Sequence, residues 1–418
     1  MSLVRRPGVR PRRRRARSSR RPTRHAMNDL RARIAAIVER DRARLERLGE
    51  RGLAVQTETL STRRDPSGLG AGFPPRGGPR SAPLANAAIA NVPFEVRERR
   101  IPIDDLGLEI VGRTAIDPLL VMHLGLKGDP PERWQDILFL DTETTGLAGG
   151  TGTYVFLIGV AHFAEGELVL RQHLLLDLAA ERGFIAALSD EIKPFRACGS
   201  YNGKTFDLPI LRTRFVMTLR SEVTVDESHL DLLHPARRLW RDRFGSTTLR
   251  QLEESVLDDG RVTDIPGSLI PDAYFYYLRK RDPTIIAPVL EHNARDVISL
   301  VRITDRVARA VTAARAGRAP DHAPAAFALA RIFERTGELE AAFACYESAY
   351  FDGRNDLRMK LALAFARHLE RRAEVDRAIR MLETLLDLGL GSPPWRMQVE
   401  SRLRRLSKKR WRQLATAN

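Results

Sequence analysis

Four acids and one histidine stand where short-range geometry turns them toward a common space. Asp141 and Glu143 are two residues apart at the end of the apolar run ILFLDTE (137–143). On a strand, residues i and i+2 face the same side, so both carboxylates project into one space. Asp207 begins a helical stretch after YNGKTF, where a carboxylate also suits the positive end of the helix dipole. Asp296 follows His292 by four residues, which places both on one helical face. Four carboxylates brought together repel and raise one another's pKa unless cations offset them. Mg²⁺ or Mn²⁺ prefers oxygen ligands and keeps positions open for water and phosphate. Two such ions about 3.5–4 Å apart activate an attacking water and stabilise the leaving 3′-oxygen of a phosphodiester. A histidine beside them, with an unperturbed pKa of about 6.5, suits the transfer of that water's proton.

The elements that must hold these residues are legible around them. ILFLDTE, YVFLIGVAHF (154–163) and LVLRQHLLL (168–176) read as three strands with short links, which predicts an antiparallel meander. A helix follows over 179–190, then a short strand and turn in ACGSYNG (197–203) and a helix from FDLPILRTRFVM (206–217). HLDLL (229–233) reads as a strand, TLRQLEES (248–255) as a helix, and 285–308 as a long helix carrying His292 and Asp296. Meander first, then alternating strands and helices, predicts an α/β domain with a mixed sheet. Beyond about 322 the pattern is all-helical. FERTGELEAAFACYE (333–347) aligns with LERRAEVDRAIRMLE (369–383) at an offset of 36, pairing Arg335 with Arg371, Glu338 with Glu374, Ala342 with Ala378 and Glu347 with Glu383. Tetratricopeptide-like helix pairs repeat at about 34 residues, and an ordinary helical hairpin is the competing reading. WRMQVESRLRRLSKKRWRQ (395–413) reads as a last amphipathic helix with a basic face.

FLDTETTGL (139–147), YNGKTFD (201–207) and HNARD (292–296) resemble the three exonuclease motifs of the DEDD group within the RNase H-like superfamily, in the right order across roughly residues 135–308. With GGTGTYVFLIGVAHF after the first motif and the repeat-like tail, the chain is most similar to the YprB-type RNase H-like proteins. The resemblance implies that Asp141, Glu143, Asp207 and Asp296 are the ligands of two Mg²⁺ or Mn²⁺ ions. It also implies that Thr144 and Leu147 lie beside the terminal nucleotide, and that Asn202 and Phe206 line the cleft. One departure concerns the group's last motif, which carries either Tyr at YxxxD spacing or His at HxxxxD spacing. Here His292 stands at the tyrosine spacing; it keeps the helical face of Asp296, so the role of general base goes to it. The implied organisation is a basic disordered arm (1–26), a helix (27–50), a linker (51–90), lead-in strands and turns (91–134), the RNase H-like domain (135–308) and a tetratricopeptide-like helical region (322–418).

Composition sets the outer bounds. The 418 residues suit two or three folded units, and 43% hydrophobic with 29% charged residues is ordinary for a chain that buries a core. No apolar run approaches the ~20 residues that span a bilayer, so no membrane partner is expected. Two cysteines, Cys198 and Cys345, give neither a disulfide framework nor a Cys-rich zinc site, which suits a reducing, cytoplasmic setting. The net charge is +16, and the eleven arginines of residues 1–26 account for +11 of it. That arm either touches phosphates or lies outside a translated chain that starts at Met27. Arm and basic tail would supply salt-sensitive affinity for nucleic acid. Other signals are weaker. Asp231 reads as a structural acid before a fifth site acid, and His229 and His234 as structural or surface residues. Glu291 reads as solvated, and YFYYLRKR (274–281) as a packing face before a base-stacking one. The function expected is a 3′→5′ exonuclease acting on single-stranded 3′ ends of DNA or RNA. The alternatives are an adaptor whose repeats recruit a protein partner around an inactive scaffold, or an RNase H-like endonuclease.

Overall fold

The structure is a computed structural model, and it describes residues 57–60, 94–117, 120, 124–125, 131–146, 151–221, 228–261, 264–352, 355–389 and 392–417, together with positions 32 and 36. The arm over 1–26 and nearly all of the helix expected over 27–50 lie outside these residues. So do the arm's two readings.

A seven-stranded sheet has the order β1-β2-β5-β4-β3-β6-β7. Its strands are β1 (Thr57–Leu60), β2 (Phe94–Pro102), β3 (Ile137–Thr144), β4 (Val155–Ala164), β5 (Glu167–Leu175), β6 (Ala197–Ser200) and β7 (His229–Asp231). β3, β4 and β5 form the antiparallel meander, whereas β6 and β7 run parallel to β3. The sheet is therefore mixed, as the strand pattern predicts. It also begins earlier than residue 135. β2 pairs with β5 from Phe94↔Leu175 to Pro102↔Glu167, and β1, inside the stretch expected as linker, pairs with β2. The lead-in strand is thus part of the sheet, because its alternating residues supply the outer ladder that β5 needs.

Among the described residues of this region there are six helices, α1 (Glu181–Ile192), α2 (Asp207–Leu219), α3 (Leu233–Phe244), α4 (Leu249–Ser255), α5 (Ile270–Lys280) and α6 (Pro283–Arg315). β3 shows why the sheet is covered on both faces. Ile137 and Phe139 enter one buried cluster, Leu138 and Leu140 another, and all four are at most 1% exposed. A strand buried on both sides reads as a continuous apolar run. Asp141 and Glu143 continue the register of Ile137 and Phe139 where burial gives way at the strand's end. Asp282 caps α6, accepting from the Thr284 amide at 3.1 Å. Farther along α6, the buried Asp305 accepts from the amides of Glu109, Ile110 and Val111, which ties the segment after β2 to the helix.

α5 holds the tyrosines of YFYYLRKR, and they are core residues. Tyr274 stacks on Phe156 at 3.9 Å and donates to the Leu175 carbonyl at 2.9 Å; Tyr276 and Tyr277 are also buried. Base stacking by these rings is excluded by that burial. Glu291 is not a free solvated acid either: it pairs with Arg99 at 3.3 Å and with Arg295 at 3.0 Å.

The C-terminal region is helical, with α7 (Ala323–Thr336), α8 (Leu339–Asp352), α9 (Asn355–Arg371), α10 (Val375–Asp387) and α11 (Pro393–Ala417). The offset of 36 has a backbone counterpart. Gly337 turns between α7 and α8 at φ +83°, and Ala373, 36 residues on, turns between α9 and α10 at φ +64°. The buried core runs on from α6 through α7–α10. Both cysteines are free and buried. Among the described residues no helix is long and apolar enough to cross a membrane.

At Gly159 of β4 the helix α6 approaches the sheet closely. A Cβ there would stand 2.3 Å from Asn293 Oδ1 and 2.9 Å from Val297 Cγ2. Gly159→Ala must therefore push the helix off the sheet and is expected to cost about 1–3 kcal/mol, read by urea unfolding. Gly152→Ala meets nothing within 4 Å and is expected to unfold as the parent does.

Candidate active site

Asp141 and Glu143 sit at the end of β3, and α6 lays His292, Asn293 and Asp296 over them. Asn293, fully buried, donates from Nδ2 to Asp141 Oδ2 at 2.9 Å. The Asn293 Oδ1 accepts from Gln172 of β5 at 2.9 Å. His292 Nε2 lies 3.7 Å from Glu143 Oε1 and 3.6 Å from Asp296 Oδ2, so it points between the two acids. Its Nδ1 bonds to Asp264 at 2.7 Å.

Asp207 is the first residue of α2, and its placement depends on the turn before it. Asn202 adopts φ +61°, a left-handed conformation that asparagine tolerates better than most residues. Asp231, buried at the end of β7, accepts from the amides of Asn202, Lys204 and Leu233 at 2.8, 3.3 and 3.1 Å. Gly203 has no room for a side chain, since a Cβ would stand 2.1 Å from Ser200 Oγ and 3.2 Å from Asp207 Oδ2. Asp207 Oδ1 accepts from Thr142 of β3 at 2.5 Å. Thr142 thus joins the second motif to the strand of the first.

The acids feel one another. Burial pushes Asp141 well above the usual carboxylate range, and the charges of Asp296, Asp207 and Glu143 add to it. Burial likewise raises Glu143 to about 8, the pull of His292 notwithstanding, and Asp207 to about 6. Burial alone would lower His292, but the bond to Asp264 and the charges of Asp296 and Glu143 hold it up at about 9. Asp264, which burial would raise, is instead held below its ordinary value by His292 and Arg261.

Arg261 is a residue that motif reading misses. Its guanidinium, 5% exposed, bonds to Asp296, to both oxygens of Glu253 at 2.5 and 2.6 Å, and to Asp264 at 2.9 Å. Glu253 also accepts from Ser299 at 2.6 Å. Arg261 and Asp264 come from the loop after α4, where nothing in RVTD marks them. Asn293 lies inside HNARD and could have been found by its place between His292 and Asp296.

The structure thus brings Asp141, Glu143, Asp207, His292 and Asp296 together. Thr144 sits at the end of β3 and donates to the Gly146 carbonyl at 3.0 Å. Phe206 is half exposed beside Asp207, and Asn202 lies in the same turn. Leu147 lies outside the described residues. Asp231 binds backbone, and His229 bonds to Ser200 at 2.7 Å in the core, so both are structural, while His234 is exposed.

The donor set is one that a hard divalent ion takes, oxygen-rich and short of positive charge. It is not a finished cage: among the described residues no three or more His, Cys, Asp or Glu already stand in metal-binding arrangement. Asp141, Asp207 and Asp296 are each held by a partner, Asn293, Thr142 and Arg261 respectively.

The model of the RNase H superfamily matches residues 138–308, from β3 to α6. These residues form an RNase H superfamily domain. Its fold is a nuclease fold, and the candidate site lies within it. The chain is also similar to uncharacterized protein YprB of Bacillus subtilis (strain 168), 32% identical over 234 residues, or 55% of this chain and 56% of that protein. The chain therefore spans little more than half of that relative's length.

Raised acids carry a stability consequence with a definite sign. A carboxyl whose folded value lies above its unfolded value binds more protons when folded, so stability falls as pH rises through that window. For Glu143 the window runs from about 4.5 to about 8. In EDTA, Glu143→Gln is expected to melt higher than the parent at pH 8.5, the gap closing toward pH 5. A gap of the opposite sign, read by thermal unfolding at both pH values, would refute this electrostatic account.

Proposed function

We propose that the chain is a metal-dependent nuclease that removes nucleotides from the 3′ ends of single-stranded DNA or RNA. The observation that carries the reading is the convergence of four acids from β3, α2 and α6, three of them, Asp141, Glu143 and Asp207, raised in pKa chiefly by burial, beside the half-exposed ring of Phe206. Asp141, Glu143, Asp207 and Asp296 would hold one or two Mg²⁺ or Mn²⁺ ions, which when bound polarise the scissile phosphate and acidify a water.

The chain's own groups do the rest. Asn293 fixes the direction in which Asp141 presents its carboxylate, and Thr142 does the same for Asp207. Asp264 orients the His292 ring so that Nε2 faces the space between Glu143 and Asp296, where it can take a proton from an attacking water. While those two acids are uncompensated, the imidazole stays charged. Neutralising them removes two of the charges that hold it up, and the neutral ring is the form that accepts a proton. Phe206, beside Asp207, offers a ring on which a terminal base can stack.

A second reading, an inactive scaffold serving the helical region as an adaptor, has one observation on its side. Arg261 already compensates one oxygen of Asp296. The two readings part on a single assay. Oligonucleotides of DNA and RNA, labelled at either end, are incubated with the protein in Mn²⁺, Mg²⁺ or EDTA. Shortening from the 3′ end to mononucleotides is expected in metal, with loss of at least about a hundredfold in Asp141→Asn and Asp207→Asn, since even outer partners of metal ligands are worth 10–100-fold. Internal fragments would replace the exonuclease with an endonuclease. No cleavage by folded protein would favour the scaffold.

A further inference from the structure

α11 carries eight basic residues and one acid, Glu400, and the fold uses only one side of it. Val399 and Leu406 are buried, and Trp395 and Leu403 pack against the core. Arg402, Arg405 and Lys409 gather on Glu370 of α9, the last two at 3.7 and 3.1 Å, and Arg410 reaches Asp376 of α10 at 2.7 Å. These cations fasten the helix to the body of the protein.

The other side is open. Met397, Arg404, Lys408 and Trp411 are exposed, Trp411 at 70% and Met397 at 68%. At 100° per residue they fall within one stripe about 60° wide, and at 1.5 Å per residue the stripe is about 21 Å long. Among the described residues neither Arg404 nor Lys408 has an ion pair or hydrogen bond. An exposed indole costs solvation, and Arg404 and Lys408, one turn apart, repel; Glu400, one turn before Arg404, makes no ion pair with either among the described residues. A polyanion that also carries flat apolar faces would satisfy both. An anionic membrane fits less well, because a helix lying on a bilayer needs its apolar face free to bury, and here Val399, Leu403 and Leu406 are turned into the protein.

We propose that the outer face of α11 binds single-stranded nucleic acid, with Arg404 and Lys408 on successive phosphates and the Trp411 ring stacked on a base. The polymer's identity rests on the proposed nuclease reading; the binding itself does not require cleavage.

The test uses the full chain in EDTA, where no cleavage occurs, with fluorescein-labelled oligo(dT) and oligo(rU) followed by anisotropy across a salt series. The double variant Arg404→Glu/Lys408→Glu is expected to bind at least about tenfold more weakly. Its log–log salt slope should fall by roughly 1.4, at about 0.7 for each phosphate no longer neutralised. Trp411→Ala is expected to bind about fivefold or more weakly, since stacking on one base is worth at least that factor. All three side chains are exposed, so melting curves should be unchanged. Equal affinity and slope in both variants would overturn the proposal. So would variants that lose binding to phosphatidylserine vesicles while holding the oligonucleotides as before. Digestion of the same oligonucleotides in Mn²⁺ separates the two claims. Binding through α11 without cleavage sinks the nuclease reading alone, and cleavage with undiminished variant binding sinks the α11 reading alone.

Discussion

The close approach of α6 to the sheet over Asn293 is the contact on which the site depends. Asp141 on β3, Gly159 on β4 and Gln172 on β5 are partners in register, so they form one row across three strands. Asn293 lies along that row, bonded to the acid at one end and to the glutamine at the other, against the glycine between them. Any larger residue at 159 would lift the helix, and with it His292 and Asp296, from the acids of β3. A buried amide with both ends satisfied costs little, whereas one with an end unpaired costs the full desolvation of that end. The geometry of the acid cluster is therefore enforced by the cost of breaking a neutral side chain's bonds, which the acids' own repulsion cannot do.

How much of this was legible beforehand divides along sequence separation. The meander, the strand-end acids and the shared helical face of His292 and Asp296 follow from periods of 2 and 3.6, and all are present in the structure. The 36-residue offset was legible as well, and it recurs as paired left-handed turns at Gly337 and Ala373. What escaped were partnerships between segments whose own residues look ordinary. Arg261 and Asp264 sit in a short loop with no periodicity, and an arginine near acids is unremarkable in a chain with 69 basic residues. The tyrosines of α5 show the same limit from the other side: aromatics beside Arg and Lys match both a packing face and a nucleic-acid platform, and only burial decides between them. β2 was readable as a strand but not as a member of the sheet, since its partner β5 lies more than sixty residues away.

Arg261 also explains how such a site folds at all. Of six acids in this region, four, Glu143, Glu253, Asp264 and Asp296, lie against one guanidinium or one imidazole, whereas Asp141 and Asp207 bond to the neutral Asn293 and Thr142. Glu253, Asp264 and Asp296 are answered by Arg261, and Glu143, Asp264 and Asp296 share His292. Burial raises Asp141, Glu143 and Asp207, and among the described residues no arginine or lysine pairs with any of them. Protons neutralise them at low pH. A divalent cation bound there would have to displace those protons, which would couple its affinity to pH. The side around Asp296, by contrast, is the part the protein has already balanced with its own charges.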